Sequence, residues 1–362
     1  MVTVSLCMIV KNEEMSIERC LNTAKYIADE IIIVDTGSTD KTKEKCKKYT
    51  EKIYDFKWIN DFSAARNYAY SFATMDYILW LDADDILLLA DIEKFTQLKE
   101  TLDPNVNFVI MKYNTGMDYK GEVSFSYYRE RLSKRTMNFK WREPVHEYLE
   151  AFGPSIRTEI AITHGKLFYK KSDRNIKIYE NLIKKRKKLS PRGQFYYARE
   201  LKEHKRWEES IAMFETFLEE QNGWKEDNIS ACNDLSRCYK AIGNDSKTIS
   251  SLYRSFIYDI PRAETCVNIG FYYEQRADYE KAIYWFEYIL SLKKPSVILG
   301  FVTHDTWDYI PFLELAVCYD KIGNPKVGEI YNNKALEIHP NSVQALLNQK
   351  YFHGINLGRD EV

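Results

Sequence analysis

The chain has 362 residues, 45% hydrophobic and 29% charged, with a formal net charge of -1. That length exceeds one ordinary core and suffices for two domains, and the composition excludes a disordered or fibrous chain. No run approaches the roughly eighteen uninterrupted apolar residues that span a bilayer. Met1 to Val10 leads straight into charged residues without a basic start or cleavage signal, so the expected location is the cytoplasm, with no transmembrane segment. Cys7, Cys20, Cys46, Cys232, Cys238, Cys266 and Cys318 are odd in number, scattered and without a CxxC pair. They read as free thiols of a reducing compartment rather than as a zinc site. Charge is uneven: Lys170 to Arg206 holds fourteen Lys or Arg against four Asp or Glu, densest at Lys184 to Lys188. Such a run is a solvated helix face or a surface for an acidic partner, and no nucleic-acid partner is expected because no recognition motif accompanies it.

In chain order, the apolar runs Val4 to Val10, Ile31 to Val34 and Tyr77 to Leu81 read as strands buried on both faces. Between them, Glu14 to Ala28, Thr39 to Tyr49 and Phe62 to Phe72 have helical length and spacing, with Ser38-Thr39-Asp40 as a helix start. Alternating strands and helices imply an α/β domain with a mainly parallel sheet and right-handed crossovers. Val106 to Ile162 is β-rich, contains Gly116, Gly121 and Gly153, and is expected to extend the sheet and close one side of the site.

Beyond about Ser172 the strand signal gives way to a repeat. Tyr239 and Tyr273 are 34 residues apart, as are Pro261 and Pro295, and 34 is the tetratricopeptide period. Asp278 to Ile283 with Phe286 matches a second-helix pattern, and Trp207 to Ile211 with Phe214 is a looser copy. Tyr273 to Tyr319 spans 46 residues, which implies a twelve-residue insertion near Ser296 to Asp308. Four repeats are expected, the first and last degenerate as capping requires. The expected domains are 1–171, α/β, and 172–362, a helical linker followed by an all-α solenoid.

The chemistry-bearing residues lie at strand ends. Asp82-Ala83-Asp84-Asp85 follows the strand Tyr77 to Leu81, where ligands of open parallel sheets bind. Asp82 and Asp84 are two apart, so one can face a ribose while the other reaches a hard divalent ion; carboxylates there also serve as turn or cap residues. Asp35 opens a Gly-containing bend, where it can accept from a nucleotide or make an Asx turn. Lys11-Asn12-Glu13-Glu14 brings polar groups to the same rim. Arg66, near a helix start, can grip nucleotide or phosphate, or form a surface ion pair.

Four motifs, Met8 to Glu14, Val34 to Asp40, Asp61 to Asn67 and Leu81 to Asp85, occur in the order that resembles family 2 glycosyltransferases of the GT-A fold. The resemblance covers roughly Met1 to Tyr169. It implies a nucleoside-diphosphate-sugar donor, expected to be a UDP-sugar, together with Mn²⁺ or Mg²⁺ and inversion at the anomeric carbon. The donor-binding set that it implies is Val10, Asn12, Glu13, Asp35, Arg66, Asp82 and Ala83, with Asp35 and Glu13 on the nucleoside and Asp84 on the metal. One departure is that Ile9-Val10-Lys11-Asn12 stands where many members have Pro-Thr-Tyr-Asn, so an aromatic partner for the base is not guaranteed. The Lys-Asn-Glu-Glu version looks like a subgroup that includes lipopolysaccharide-core glucosyltransferases and bacteriocin S-glycosyltransferases of the sublancin type, the latter with helical repeats.

Trp141 to Glu147 and Ile162 to Gly165 look like later motifs of that subgroup. Inverting transfer needs a base beside the acceptor nucleophile. Glu147 is the first choice, Glu143 the second, and His146 orients one of them. His164 matches the histidine that completes the metal shell in GT-A enzymes, and imidazole with carboxylate suits Mn²⁺. A polypeptide acceptor bound along the repeats is expected, because stacked helix pairs form a groove suited to extended peptides. Homodimerisation is the other role open to the repeats. A lipid-linked or lipopolysaccharide acceptor and an inactive repeat-based adaptor remain as alternative readings.

Overall fold

A computed structural model of the chain describes residues 1–117, 123–165, 172–293 and 302–359. The chain divides into two compact units, Met1–Gly193 and Gln194–Val362. The expected domain boundary at 171 and the positions Gly121, Tyr169, Lys170 and Pro295 lie outside the described residues.

The first unit opens with β1 (Val4–Val10), α1 (Ile17–Ala24), β2 (Glu30–Asp35), α2 (Thr42–Cys46), β3 (Ile53–Asp55), α3 (Phe62–Tyr70) and β4 (Tyr77–Trp80). It continues with β5 (Asp85–Ile86), α4 (Leu89–Thr101), β6 (Phe108–Met117), β7 (Val123–Lys134), β8 (Trp141–Arg142), β9 (Tyr148–Leu149), β10 (Ser155–His164) and α5 (Arg174–Lys184). The main sheet runs β3-β2-β1-β4-β7-β6-β10-β5. Its first four strands are mutually parallel; β7 then runs antiparallel to both β4 and β6. The sheet is therefore mixed, with the β-rich stretch after Val106 supplying the extension.

Alternation along β1, with both faces covered, explains why its run is apolar apart from Ser5, which is bonded to Glu30. Leu6 and Met8 pack with Ile17, Leu21 and Phe95 on one face, while Cys7 packs with Ile32, Val34 and Ala69 on the other. Two helices begin later than their spacing suggests, because loop contacts consume their first residues. The Glu14 carboxylate accepts from the Lys41 N–H at 3.1 Å, so α1 starts at Ile17. Thr39 donates its N–H to Asn12 Oδ1 at 2.8 Å and Asp40 accepts from the Thr42 N–H at 3.0 Å, so α2 starts at Thr42. By contrast α3 starts where expected, with Asp61 Oδ1 capping the Ala64 N–H at 2.9 Å.

The second unit consists of helix pairs. After α6 (Pro191–Glu203), in which the division between the units falls, come α7 (Trp207–Glu219), α8 (Lys225–Ala241) and α9 (Asp245–Arg254). They are followed by α10 (Ala263–Glu274), α11 (Tyr279–Ser291), α12 (Tyr309–Lys321), α13 (Pro325–Ile338) and α14 (Val343–Arg359). Four pairs and a terminal helix are thus seen among the described residues, matching the four expected repeats. The first helices α8, α10 and α12 end the same way: Asn244, Asp278 and Asn324 donate their N–H groups to the carbonyls of Tyr239, Tyr273 and Tyr319 at 2.9, 3.1 and 2.8 Å. The residue between lies in the left-handed region, Gly243, Ala277 or Gly323. This is the six-to-one helix closure that stops a helix and turns the chain back. Gly270 has a different role, since a Cβ there would meet the Phe286 ring at 2.5 Å; it lets α10 and α11 approach. Of the expected insertion, residues 294–301 lie outside the described residues. The described part ends in a turn whose Trp307 donates to the half-buried Glu264 at 3.3 Å.

Glu274 on α10 and Glu314 on α12 are partly buried together. Burial pushes the Glu314 carboxyl up, and the neighbouring Glu274 adds to it; burial also raises Glu274. Groups raised in the folded state hold protons that the unfolded chain has lost, so they cost stability as pH climbs from the ordinary carboxylate range through the raised native value. Glu314→Gln is therefore expected to unfold at a higher temperature relative to wild type at about pH 8 than at about pH 5. Melting curves at the two pH values check this; an equal difference at both would contradict the strain.

Candidate active site

The carboxyl ends of β1, β2 and β4 point to one rim, and the loops that leave them are tied together by side chains. Asp35, 1% exposed at the end of β2, accepts the N–H groups of Gly37 and Ser38 on Oδ1, both at 2.8 Å. This is the Asx turn that a strand-end aspartate favours. Its buried Oδ2 has no hydrogen-bond partner among the described residues. From β1, the Val10 carbonyl accepts from the N–H and the hydroxyl of Thr36, at 2.9 and 3.1 Å. Asn12, at φ 55°, donates its N–H to Ser38 Oγ at 2.9 Å. Glu13 gives its N–H to Thr42 Oγ1 at 2.7 Å. Val10, Asn12 and Glu13 thus share one loop pair with Asp35.

Asp82-Ala83-Asp84 follows β4 and is supported from below. Asp85 and Arg131, both fully buried, form an ion pair at 2.9 Å. Asp85 Oδ2 also accepts the Asp82 N–H at 2.9 Å, and Oδ1 accepts the Tyr113 hydroxyl at 2.8 Å. The Arg131 guanidinium is stacked between the Trp80 and Tyr113 rings, 3.8 and 4.2 Å from their centroids. Pairing of β5 with β10 places His164 opposite Asp85, so residues distant in sequence share one corner. His164 Nδ1 lies 3.5 Å from Asp84 Oδ1 and 3.0 Å from the Tyr113 hydroxyl. Asp84, Asp85 and His164 offer ligand atoms within 4.8 Å of one another. Asp85 already has three partners, which leaves Asp84 and His164 as the pair facing outward. Burial, reinforced by Asp82 and Asp85 and opposed by His164, raises the Asp84 carboxyl. Asp85 first and Asp84 next raise the His164 imidazole against the effect of its burial.

Arg66 connects this corner to the other wall. It is 6% exposed on α3, and its guanidinium carbon lies 4.7 and 4.8 Å from the Trp80 and Trp141 rings. Its Nη2 donates to Asp82 Oδ1 and its Nε to Glu147 Oε1, each at 2.7 Å. Burial opposes the Asp82 charge, but Arg66 and then Arg131 outweigh it and keep the carboxyl low. Asp82 and Glu147 are therefore brought together, and Arg66 is an internal clamp on both rather than an open grip for phosphate.

Glu147 belongs to the hairpin β8–β9, whose loop also carries Glu143 and His146. Glu143 Oε1 accepts the Ser190 hydroxyl at 2.6 Å, and the His146 carbonyl accepts from Arg192 Nε at 3.0 Å. Of the sequence candidates, Asp82, Asp84, His164, Arg66 and Glu147 form one connected group, Ala83 lies between its carboxylates, and Glu143 points its carboxylate to Ser190. Sequence reading assigned no role to Asp85, Arg131, Tyr113, Trp80 or Trp141. The one available signal was a third carboxylate, Asp85, directly after the Asp-x-Asp pair.

Breaking the buried pair leaves an uncompensated charge. Arg131→Met is expected to lower the unfolding free energy by about 3–5 kcal/mol, as read from denaturant melts, and a loss below about 1 kcal/mol would mean that Asp85 finds other compensation.

Residues 5–176 match glycosyl transferase family 2. A TPR repeat-containing protein of Synechococcus elongatus is 38% identical over 152 residues, 41% of this chain and 36% of that protein. The SPbeta prophage-derived glycosyltransferase SunS of Bacillus subtilis is 29% identical over 213 residues, 55% of this chain and 49% of that protein. The chain thus spans about half the length, or less, of these curated relatives. Among solved structures, glucosyl-3-phosphoglycerate synthase from Mycobacterium tuberculosis, in complex with Mg²⁺ and UDP, is 18% identical with a TM-score of 0.27, covering 31% of this chain and 44% of that one. A thermophilic TPR protein of Thermus thermophilus is 16% identical with a TM-score of 0.36, covering 50% of this chain and 89% of that one. The chain carries, over residues 5–176, a domain of glycosyl transferase family 2, followed in sequence by tetratricopeptide-type helix pairs.

Proposed function

We propose that the protein is an inverting glycosyltransferase that moves a hexose or N-acetylhexosamine from a UDP-sugar to a side chain of a peptide or protein. The observation that carries this reading is the Arg66 bridge, which sets a donor-side carboxylate, Asp82, and an acceptor-side carboxylate, Glu147, 2.7 Å from one guanidinium. The buried Oδ2 of Asp35, unpartnered among the described residues, suits an N–H donor on a pyrimidine base.

One carboxylate oxygen and one imidazole nitrogen 3.5 Å apart fit a divalent ion, so Asp84 and His164 would hold Mn²⁺ or Mg²⁺. When bound, the ion supplies charge neutralisation for the diphosphate leaving group. Glu147, with Oε1 fixed by Arg66, directs its second oxygen to the acceptor and takes the proton as the nucleophile attacks the face opposite the leaving group. Trp80 and Trp141 keep the guanidinium from following either carboxylate outward.

The peptide acceptor rests on the helix pairs, whose stacking yields a surface suited to extended chains. The exposed run Lys184 to Lys188 favours an acidic acceptor segment. All seven cysteines are buried and free, in keeping with a cytoplasmic enzyme, and among the described residues no helix is long and apolar enough to cross a membrane.

Thermal shifts with nucleotide sugars test the donor side. UDP-sugar with Mn²⁺ is expected to raise the melting temperature of wild type, and Asp84→Ala is expected to abolish the Mn²⁺-dependent part; an equal shift in EDTA would contradict the metal. Glu147→Gln is expected to lose about 100- to 10,000-fold in transfer rate while its calorimetric affinity for UDP-sugar stays within about 3-fold of wild type. Retained transfer would move the base elsewhere.

A further inference from the structure

The loop that presents Glu147 is strained. Glu143 and His146, neither a glycine, both lie in the left-handed region, at φ 72° and 53°. Non-glycine residues persist there only where surrounding contacts over-determine them. Some of those contacts come from α3 and α5: the Phe62 N–H donates to the Pro144 carbonyl at 2.9 Å, and the Tyr179 hydroxyl to the Val145 carbonyl at 3.4 Å. The two strained residues themselves are each contacted from the start of α6.

We infer that this turn is a clamp on the catalytic loop, and that Ser190 and Arg192 are positioning residues for Glu147. Ser190 precedes α6, and its hydroxyl does two things at once. It accepts the Gly193 N–H at 2.9 Å, as a helix cap does, and donates its proton to Glu143 Oε1 at 2.6 Å. One hydroxyl therefore fixes both the start of the helix and the side chain of the first strained residue. Gly193 fits the same arrangement, since a Cβ there would stand 3.3 Å from Ser190 Oγ and 3.6 Å from Glu143 Oε2. Two residues further along the helix start, Arg192 Nε holds the His146 carbonyl at 3.0 Å, and its guanidinium lies 5.3 Å from the Tyr148 ring. Glu143 and His146 flank Pro144 and Val145, so the clamp grips both sides of the bend directly before Glu147. Glu143 is on this account spent on Ser190 and serves the loop, not the acceptor proton.

The positioning role rests on Glu147 being the base; the clamp itself does not. The experiment therefore has two arms on the full chain, comparing wild type with Ser190→Ala, Arg192→Gln and Ser190→Thr. Hydrogen exchange without ligand reads the clamp. The amides of Glu143, Val145, His146 and Glu147 are expected to exchange at least about 10-fold faster in Ser190→Ala and in Arg192→Gln, with amides 77–83 unchanged, and Ser190→Thr, which keeps the hydroxyl, to restore protection. Unchanged exchange in both variants overturns the inference, as does a rise spread over the whole unit. The second arm measures hydrolysis of UDP-glucose with Mn²⁺, in which water replaces the acceptor. Turnover is expected to fall about 10- to 100-fold in Ser190→Ala and Arg192→Gln, with KM for UDP-glucose within about 2-fold of wild type. Faster exchange with unchanged turnover overturns the positioning role. Absence of hydrolysis in wild type counts against the proposed donor chemistry, and the exchange arm still decides the clamp.

Discussion

A guanidinium buried between two indole rings must find its counter-charges inside the protein. Arg66 finds them on two walls of the site, Asp82 after β4 and Glu147 in the β8–β9 hairpin. The aromatic sandwich removes water and restricts movement, so the two carboxylates are placed relative to each other by one rigid fork. The second buried arginine does the same a layer below. Arg131 and Asp85 neutralise each other, and Asp85 spends its remaining lone pairs on the Asp82 N–H and the Tyr113 hydroxyl. The outward pair of Asp84 and His164 sits on that foundation. That outward pair is thus held on an ion pair that never reaches solvent, where screening would weaken it.

Much of this arrangement is legible in the sequence, for identifiable reasons. Strands buried on both faces must be apolar throughout, so β1, β2 and β4 announce themselves, and the strand-end position of Asp35 and Asp82 follows from them. The repeat period survives because each first helix needs the same closure. What is not legible is pairing across sequence distance. Nothing in Tyr128-Arg129-Glu130-Arg131 says which arginine turns inward; β7 pairing between β4 and β6 decides it. The late starts of α1 and α2 have a related origin. Glu14 and Asp40 have the chemistry of helix starts, but each bonds across the rim to the other loop, and the loops claim the residues first. Glu143 and Glu147 are four residues apart and equivalent by type. Only the folded chain separates a carboxylate facing Ser190 from one facing Arg66.

In the helical unit one repeat position is solved three ways. Asp234, on α8, is paired with Lys202 at 2.7 Å and Arg199 at 3.3 Å. Asn268, 34 residues later on α10, bonds Asn233 at 2.9 Å. Glu314, the counterpart on α12 after the insertion, meets Glu274. The tyrosines of the repeat are packing residues with polar tips: Tyr239 and Tyr319 donate to Glu215 and Glu287, at 3.0 and 2.7 Å. The backbone of the repeat is thus uniform while its polar joints change from ion pair to amide pair to carboxyl pair. What differs between repeats is therefore these polar joints, and not the closures or the tyrosine packing.

On the proposed reading, attack and departure are handled by separate carboxylates, with Glu147 on the side of attack. The most direct test is proton NMR of the glucose released when the full chain hydrolyses UDP-glucose with Mn²⁺, followed before mutarotation mixes the anomers. Attack opposite the leaving group predicts that β-glucose appears first. Initial release of α-glucose would contradict the account, because the proton acceptor would then not stand where Arg66 holds Glu147.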